Sequence, residues 1–154
     1  MIGERVVGSR IYDHVSGHFT RKFLKEFLAR ARSSLVLTRQ SYRCDTPHAK
    51  RLMEMRAEVE SPDVLRVTHQ TLDVQALPFP VHVRQAPRAE ARRLRCSICN
   101  RLRPKGRPAW CEPEEIARPG ETSLVVHTVC PDCREQINLR RQHGVFSRVH
   151  VDGS

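Results

Sequence analysis

The chain has 154 residues, a net charge of +10, and 39% hydrophobic but only 5% aromatic residues. That length allows one ordinary domain or two small ones, and the composition argues against one large core. No run approaches the roughly 20 apolar residues needed to span a bilayer. The opening Met1-Ile2-Gly3-Glu4-Arg5 lacks a secretory signal, so the expected compartment is the cytoplasm, where thiols stay reduced.

Residues 1–75 read as a small α+β module. Ser9 is a candidate cap for a short helix carrying Ile11, Tyr12 and Val15. Thr20 is a candidate cap for a second helix through about Arg32. There Phe23, Leu24, Phe27, Leu28 and Ala31 share one face at helical spacing. Three strand-like runs follow. Leu35 to Arg43 holds residues that favour strands. Arg51 to Val59 alternates, with Met53, Met55, Ala57 and Val59 opposite Glu54, Arg56 and Glu58. After a Ser61-Pro62-Asp63 turn, Val64 to Val74 resumes β character. The short connections predict an antiparallel meander packed on helices. Cys44 is read as a small buried residue.

Two stretches of this half resemble a known family. Val6-Val7-Gly8-Ser9-Arg10-Ile11-Tyr12-Asp13-His14-Val15 is similar to the PAS-domain segment leading into the long helix. Tyr42-Arg43-Cys44-Asp45-Thr46-Pro47 with Arg51-Leu52-Met53-Glu54-Met55 resembles a strand pair of bacterial PAS-like sensory proteins. The resemblance spans residues 6–73 and implies a truncated PAS-like sheet with an open edge. Such an edge invites pairing with a protein partner or a second copy of the chain.

Residues 76–93 read as a linker, because Pro78, Pro80 and Pro87 are expected to break regular structure between Leu77 and Arg88. Residues 84–107 carry nine Arg or Lys against Glu90 alone, a local excess of +8 that leaves only +2 for the rest. Arg92, Arg93, Arg95, Arg101, Arg103, Lys105 and Arg107 are therefore candidate contacts for phosphates or an acidic partner. A solvated linker is the competing reading.

Residues 94–154 hold two CxxC pairs, Cys96-Ser97-Ile98-Cys99 and Cys130-Pro131-Asp132-Cys133. A two-residue spacer aims both sulfurs of a pair at one point, and two pairs supply the four thiolates of a closed structural Zn²⁺ site. Asn100 suits the left-handed residue that closes a knuckle. Ser123 to Val129 reads as a strand delivering the chain to Cys130. Pro131 and Asp132 suit a first helical turn. Arg140, Arg141 and His143 then mark the end of a helix through about Gln142, with Gly144 terminating it. A knuckle, a strand and two ligands opening a helix form a treble-clef-like arrangement.

His127 is a possible second-shell residue beside the thiolates, against a packing or surface role. Cys111, followed by the helix-start pattern Glu112-Pro113-Glu114-Glu115, is read as a plain thiol. The set Cys96, Cys99, Trp110, His127, Cys130, Pro131 and Cys133 resembles a zinc-finger-like tail found after sensory domains in bacterial signalling proteins. That resemblance covers residues 94–139 and implies a regulatory accessory module. His14, His18, His48, His69, His82, His143 and His150 form no catalytic spacing, and no phosphate loop or nucleophile elbow is present, so no enzyme is expected. The leading expectation is a non-enzymatic signalling or regulatory protein acting through protein contacts. The alternatives are a nucleic-acid-binding zinc protein and a thiol redox sensor.

Overall fold

The computed structural model describes residues 7–143 of the chain, with side chains described as far as residue 137. The expected roles of Gly144 and His150, and of the Arg140, Arg141 and His143 side chains, lie outside the described residues. A 3-10 turn, Ile11–His14, leads into helix α1, His18–Ser34. The stripe Phe23, Leu24, Phe27, Leu28 and Ala31 forms the buried face of α1, with Phe27 and Ala31 fully covered. Burying one such large side chain contributes about 1.5–3 kcal/mol.

Neither expected cap forms. Arg10 holds the cap position of the 3-10 turn without a side-chain bond, while Ser9 Oγ bonds His14 Nε2 at 2.7 Å. Gly17, at φ 88°, precedes α1, and Thr20 already lies inside the helix. The Thr20 hydroxyl instead donates to Ser97 Oγ at 2.6 Å, 77 residues away. At the other end, Ser33 and Ser34 hydroxyls donate to the Arg30 carbonyl and Leu35 turns left-handed at φ 53°. The helix therefore outlasts Arg32, and the strand begins at Thr38 rather than Leu35.

Strands β1 (Thr38–Arg43), β2 (Ala49–Ser61) and β3 (Val64–Ala76) form an antiparallel sheet in that order. Ser61 pairs with Val64 across the predicted turn. Met55 and Ala57 of β2 are buried with α1, joined by Leu65 and Val67 of β3. The opposite face of β2 carries Glu54, which accepts from Arg56 at 2.6 Å and pairs with Arg39 at 3.8 Å. From His69 to Ala76, β3 is exposed along its whole length.

A second sheet contains β4 (His82–Gln85), β5 (Arg93–Cys96), β6 (Leu102–Pro104) and β7 (Thr122–Thr128). Its order is β4-β7-β5-β6, with β7 parallel to both β4 and β5, and β5 antiparallel to β6. The stretch expected to lack regular structure thus supplies β4. Pro80 and Pro87 lie just outside it, so neither removes a donor that the four-residue ladder needs. A short helix α2 (Pro113–Ile116) follows, and α3 (Pro131–His143) ends the described chain. The architecture is α+β, and no described helix is long and apolar enough to cross a membrane.

The two sheets share their packing. Phe23 of α1 is buried with Cys96, Ile98, Val129, Cys130, Cys133 and Ile137, and Tyr42 packs against both this cluster and the α1 core. The Arg43 N–H donates to the Ile98 carbonyl at 2.6 Å.

Candidate metal centre

The first CxxC pair lies where β5 leaves its sheet and turns back as β6. Within that turn Asn100 N–H donates to the Cys96 carbonyl, and Cys96 N–H to the Arg101 carbonyl, both at 2.9 Å. Asn100 takes the left-handed conformation at φ 59°, as its position after the pair predicts. Ser97 N–H donates to the Thr128 carbonyl at 2.8 Å, which ties the knuckle to the end of β7.

The second pair opens α3. Cys130 stands just before Pro131, and its carbonyl accepts the Arg134 N–H at 3.0 Å. Cys133 lies in the first turn. Strand β7 and helix α3 therefore place this pair on the knuckle.

The sulfurs of Cys96, Cys99, Cys130 and Cys133 all lie within 4.8 Å of one another. None is in a disulfide, and Cys99 and Cys130 stand 3.8 Å apart, beyond any S–S bond. Bonds of about 2.3 Å to a central ion place tetrahedral thiolates about 3.8 Å apart. The donor set and its spacing could therefore hold a metal ion. Cys96, Cys130 and Cys133 are buried and Cys99 is half-buried. Arg101, Asp132, Glu135 and Gln136 rim a groove of about 500 Å³ outside the sulfurs.

The electrostatics prepare the first ligand. Cys96 Sγ accepts hydrogen bonds from Cys133 and Cys99, and from the Cys130 and Ile98 N–H groups at 3.4 Å each. These donors outweigh burial and hold the Cys96 thiol well below the ordinary thiol range. Cys133 is pushed up, chiefly by donating to Cys96 and Cys99 and also by burial. At Cys99 the hydrogen bond from Cys133 lowers the pKa. Its own hydrogen bond to Cys96, together with burial, outweighs that effect and moves the thiol up to about 12. The hydrogen bonds thus favour negative charge on Cys96 over Cys99 and Cys133, and a bound cation would supply the charge that ionises the others.

His127 lies on β7, half-buried, beside Gly17. Burial and the neighbouring Arg95 charge lower its pKa, and its Nδ1 has no hydrogen-bond partner among the described residues. It is not one of the clustered ligands. Cys111 pairs through its backbone with Leu102 and also stands outside the cluster. Cys44 is exposed rather than buried, because the turn after β1 points it outward, where Arg51 Nη2 approaches its sulfur at 3.4 Å.

The basic stretch is divided by its environment. Arg93 bonds Ser123, the Ile116 carbonyl and Glu121. Burial lowers the pKa of Arg95, and its Nε finds no partner among the described residues. Arg101 pairs with Glu112 at 3.2 Å and Asp132 at 3.6 Å. Arg103 lies over Trp110, 5.6 Å from the ring centre. Arg88, Arg92, Lys105 and Arg107 are exposed.

Glu112 is the residue sequence reasoning missed. It receives Arg43 at 2.6 Å, Lys50 at 3.1 Å and Arg101 at 3.2 Å, joining β1, β2 and the cysteine knuckle. Burial pushes its carboxyl up, but the hydrogen bonds from Arg43 and Lys50 and their charges, with the bond from Arg101, hold it down at about 2. Its only local signal is the cap pattern, in which Glu112 N–H donates to Glu115 Oε2 at 2.7 Å. Beside this hub a cavity of about 90 Å³ is lined by Asp45, Thr46, Pro47, Leu77, Arg95 and Pro113, among others. That is room for about three waters and far too little for a flavin or haem.

Comparison with protein-family models, with curated proteins and with solved structures finds no match to this chain.

Proposed function

We propose that the protein is a non-enzymatic regulatory module whose four thiolates hold a structural zinc ion and which acts by binding other macromolecules. The observation that carries this reading is the cluster of four cysteine sulfurs, all within 4.8 Å of one another. Four thiolates saturate zinc and leave no position for a reacting water or substrate. All-sulfur tetrahedral ligation also favours zinc over the harder cations. The knuckle followed by two ligands at a helix start supports a treble-clef-like description. The order of one long helix then three antiparallel strands supports the resemblance to a PAS-like sensory half.

The surface proposed for protein contact is the edge of β3, where Val64, Leu72 and Val74 are about half exposed. An unpaired edge strand is a template for strand addition, including by a second copy. Two measurements test the proposal. Elemental analysis of protein purified under reducing conditions should give about one zinc per chain, lost in Cys96→Ser and Cys133→Ser. Sedimentation equilibrium should show self-association that Val74→Lys abolishes with zinc retained. A metal-free protein of unchanged fold would refute the zinc scaffold, and a strict monomer would refute the homodimer.

A further inference from the structure

The surface at the turn beyond β5 and β6 differs from the β3 edge in chemistry and position. Of the nine cations in residues 84–107, Arg93 and Arg101 are neutralised by carboxylates, Arg95 is half-buried and Arg103 lies over Trp110. Of the five that remain, Arg84 stands on β4, and Arg88, Arg92, Lys105 and Arg107 are exposed and tied together at one corner. Lys105 N–H donates to the Arg92 carbonyl at 3.0 Å, and the Lys105 ammonium binds the Arg88 carbonyl. Arg107 N–H donates to the Pro104 carbonyl at 3.2 Å, while Arg103 reaches the Arg107 carbonyl at 3.1 Å. Main-chain and side-chain bonds thus tie the backbone that carries these four residues into one frame. Among the described residues no carboxylate forms an ion pair with any of them.

We infer that this corner binds the phosphate backbone of a nucleic acid. Protein interfaces owe most of their affinity to buried aromatic and apolar anchors. Among the described residues the large exposed apolar side chains, from Val7 to Val74, all precede the second sheet, and none lies at the corner. Trp110, the nearest aromatic, is occupied by Arg103 and by packing against the metal cluster. A phosphate backbone needs no such anchor. It needs unpaired cations, and three of these four are arginines, whose forked donors match phosphate oxygens. With no free ring for stacking, binding is expected to be independent of sequence. This inference does not depend on the β3 edge.

The test is fluorescence anisotropy of the full, zinc-loaded chain with a labelled mixed-sequence DNA duplex between 50 and 200 mM salt. Four phosphate contacts predict a log–log salt slope of about −3.6, or roughly a hundredfold loss of affinity over that range. The triple variant Arg88→Ala/Arg92→Ala/Arg107→Ala, which leaves Lys105 to hold its carbonyl, should reduce the slope to about −0.9. The variant Lys22→Ala/Lys25→Ala/Arg32→Ala removes equal charge from α1 and should keep most of the slope. Zinc content measured on each variant separates loss of the corner from loss of the scaffold. Absence of binding at 50 mM salt would overturn the inference, as would equal losses in the two triple variants. Tighter binding of a poly-glutamate peptide than of the duplex would reassign the corner to an acidic protein.

Discussion

Replacing Glu112 by glutamine keeps the side-chain shape and removes the charge that three cations share. The carboxyl sits at about 2 in the folded chain, against about 4.3 for an unfolded glutamate. That difference of about two units corresponds to about 3 kcal/mol by linkage. Glu112 is partly solvated, with 28% of its side chain exposed, so screening reduces the expected loss to about 1–2 kcal/mol. The sign follows from the lowered pKa. The contribution is complete above the unfolded value and disappears only as pH falls toward about 2. Urea unfolding of zinc-loaded wild type and Glu112→Gln should therefore show a gap that stays constant between pH 8 and pH 5. A double-mutant cycle with Arg43→Met should return a coupling of about 1 kcal/mol. A gap under about 0.3 kcal/mol, or one that changes across that pH range, would refute the assignment of Glu112 as the hub.

Asn100→Val should cost about 1–2 kcal/mol and weaken zinc retention against a chelator, because a β-branched residue resists the φ of 59°; Asn100→Gly should retain both. Gly17→Ala, at φ 88° with an added Cβ 3.4 Å from His127 Cβ, should lower stability by about 1 kcal/mol in thermal unfolding. Phe23→Ala should cost about 3–4 kcal/mol and raise the rate of zinc loss to a chelator, since Phe23 packs on Cys96 and Cys130. Metal removal should reach beyond the second sheet. Hydrogen exchange should quicken at the start of α1 and at Tyr42, and unchanged protection there would show that the halves are independent.

The features legible in the sequence were those set by short-range chemistry. The α1 stripe, the alternation of β2, the paired cysteines and the left-handed Asn100 each follow from spacing of 2 to 4 residues. What escaped was decided by distant partners. Thr20 looks like a cap but finds Ser97. His82–Gln85 looks like linker but gains a parallel partner in β7. The basic stretch looks uniform until Glu121, Glu112 and Asp132 neutralise two members, burial takes a third and Arg103 settles over Trp110. Glu112 itself carried only a helix-start signal, because its three cations come from residues 43, 50 and 101.

The order β4-β7-β5-β6 has a consequence for how the chain reaches its native state. The β1-β2-β3 meander joins neighbours in sequence and closes through short turns, so it can assemble early. The second sheet is built around β7, which follows β4 by nearly forty residues and β5 by nearly thirty. Until β7 inserts, β4 and β5 have no common neighbour and the two halves of the sulfur cluster remain apart. Late arrival of the central strand makes this half the slow, high-contact-order step of folding. A nascent chain that has emerged only through β6 therefore exposes an unfinished sheet and the Cys96 and Cys99 thiols without their partners, the state most open to mispairing and oxidation.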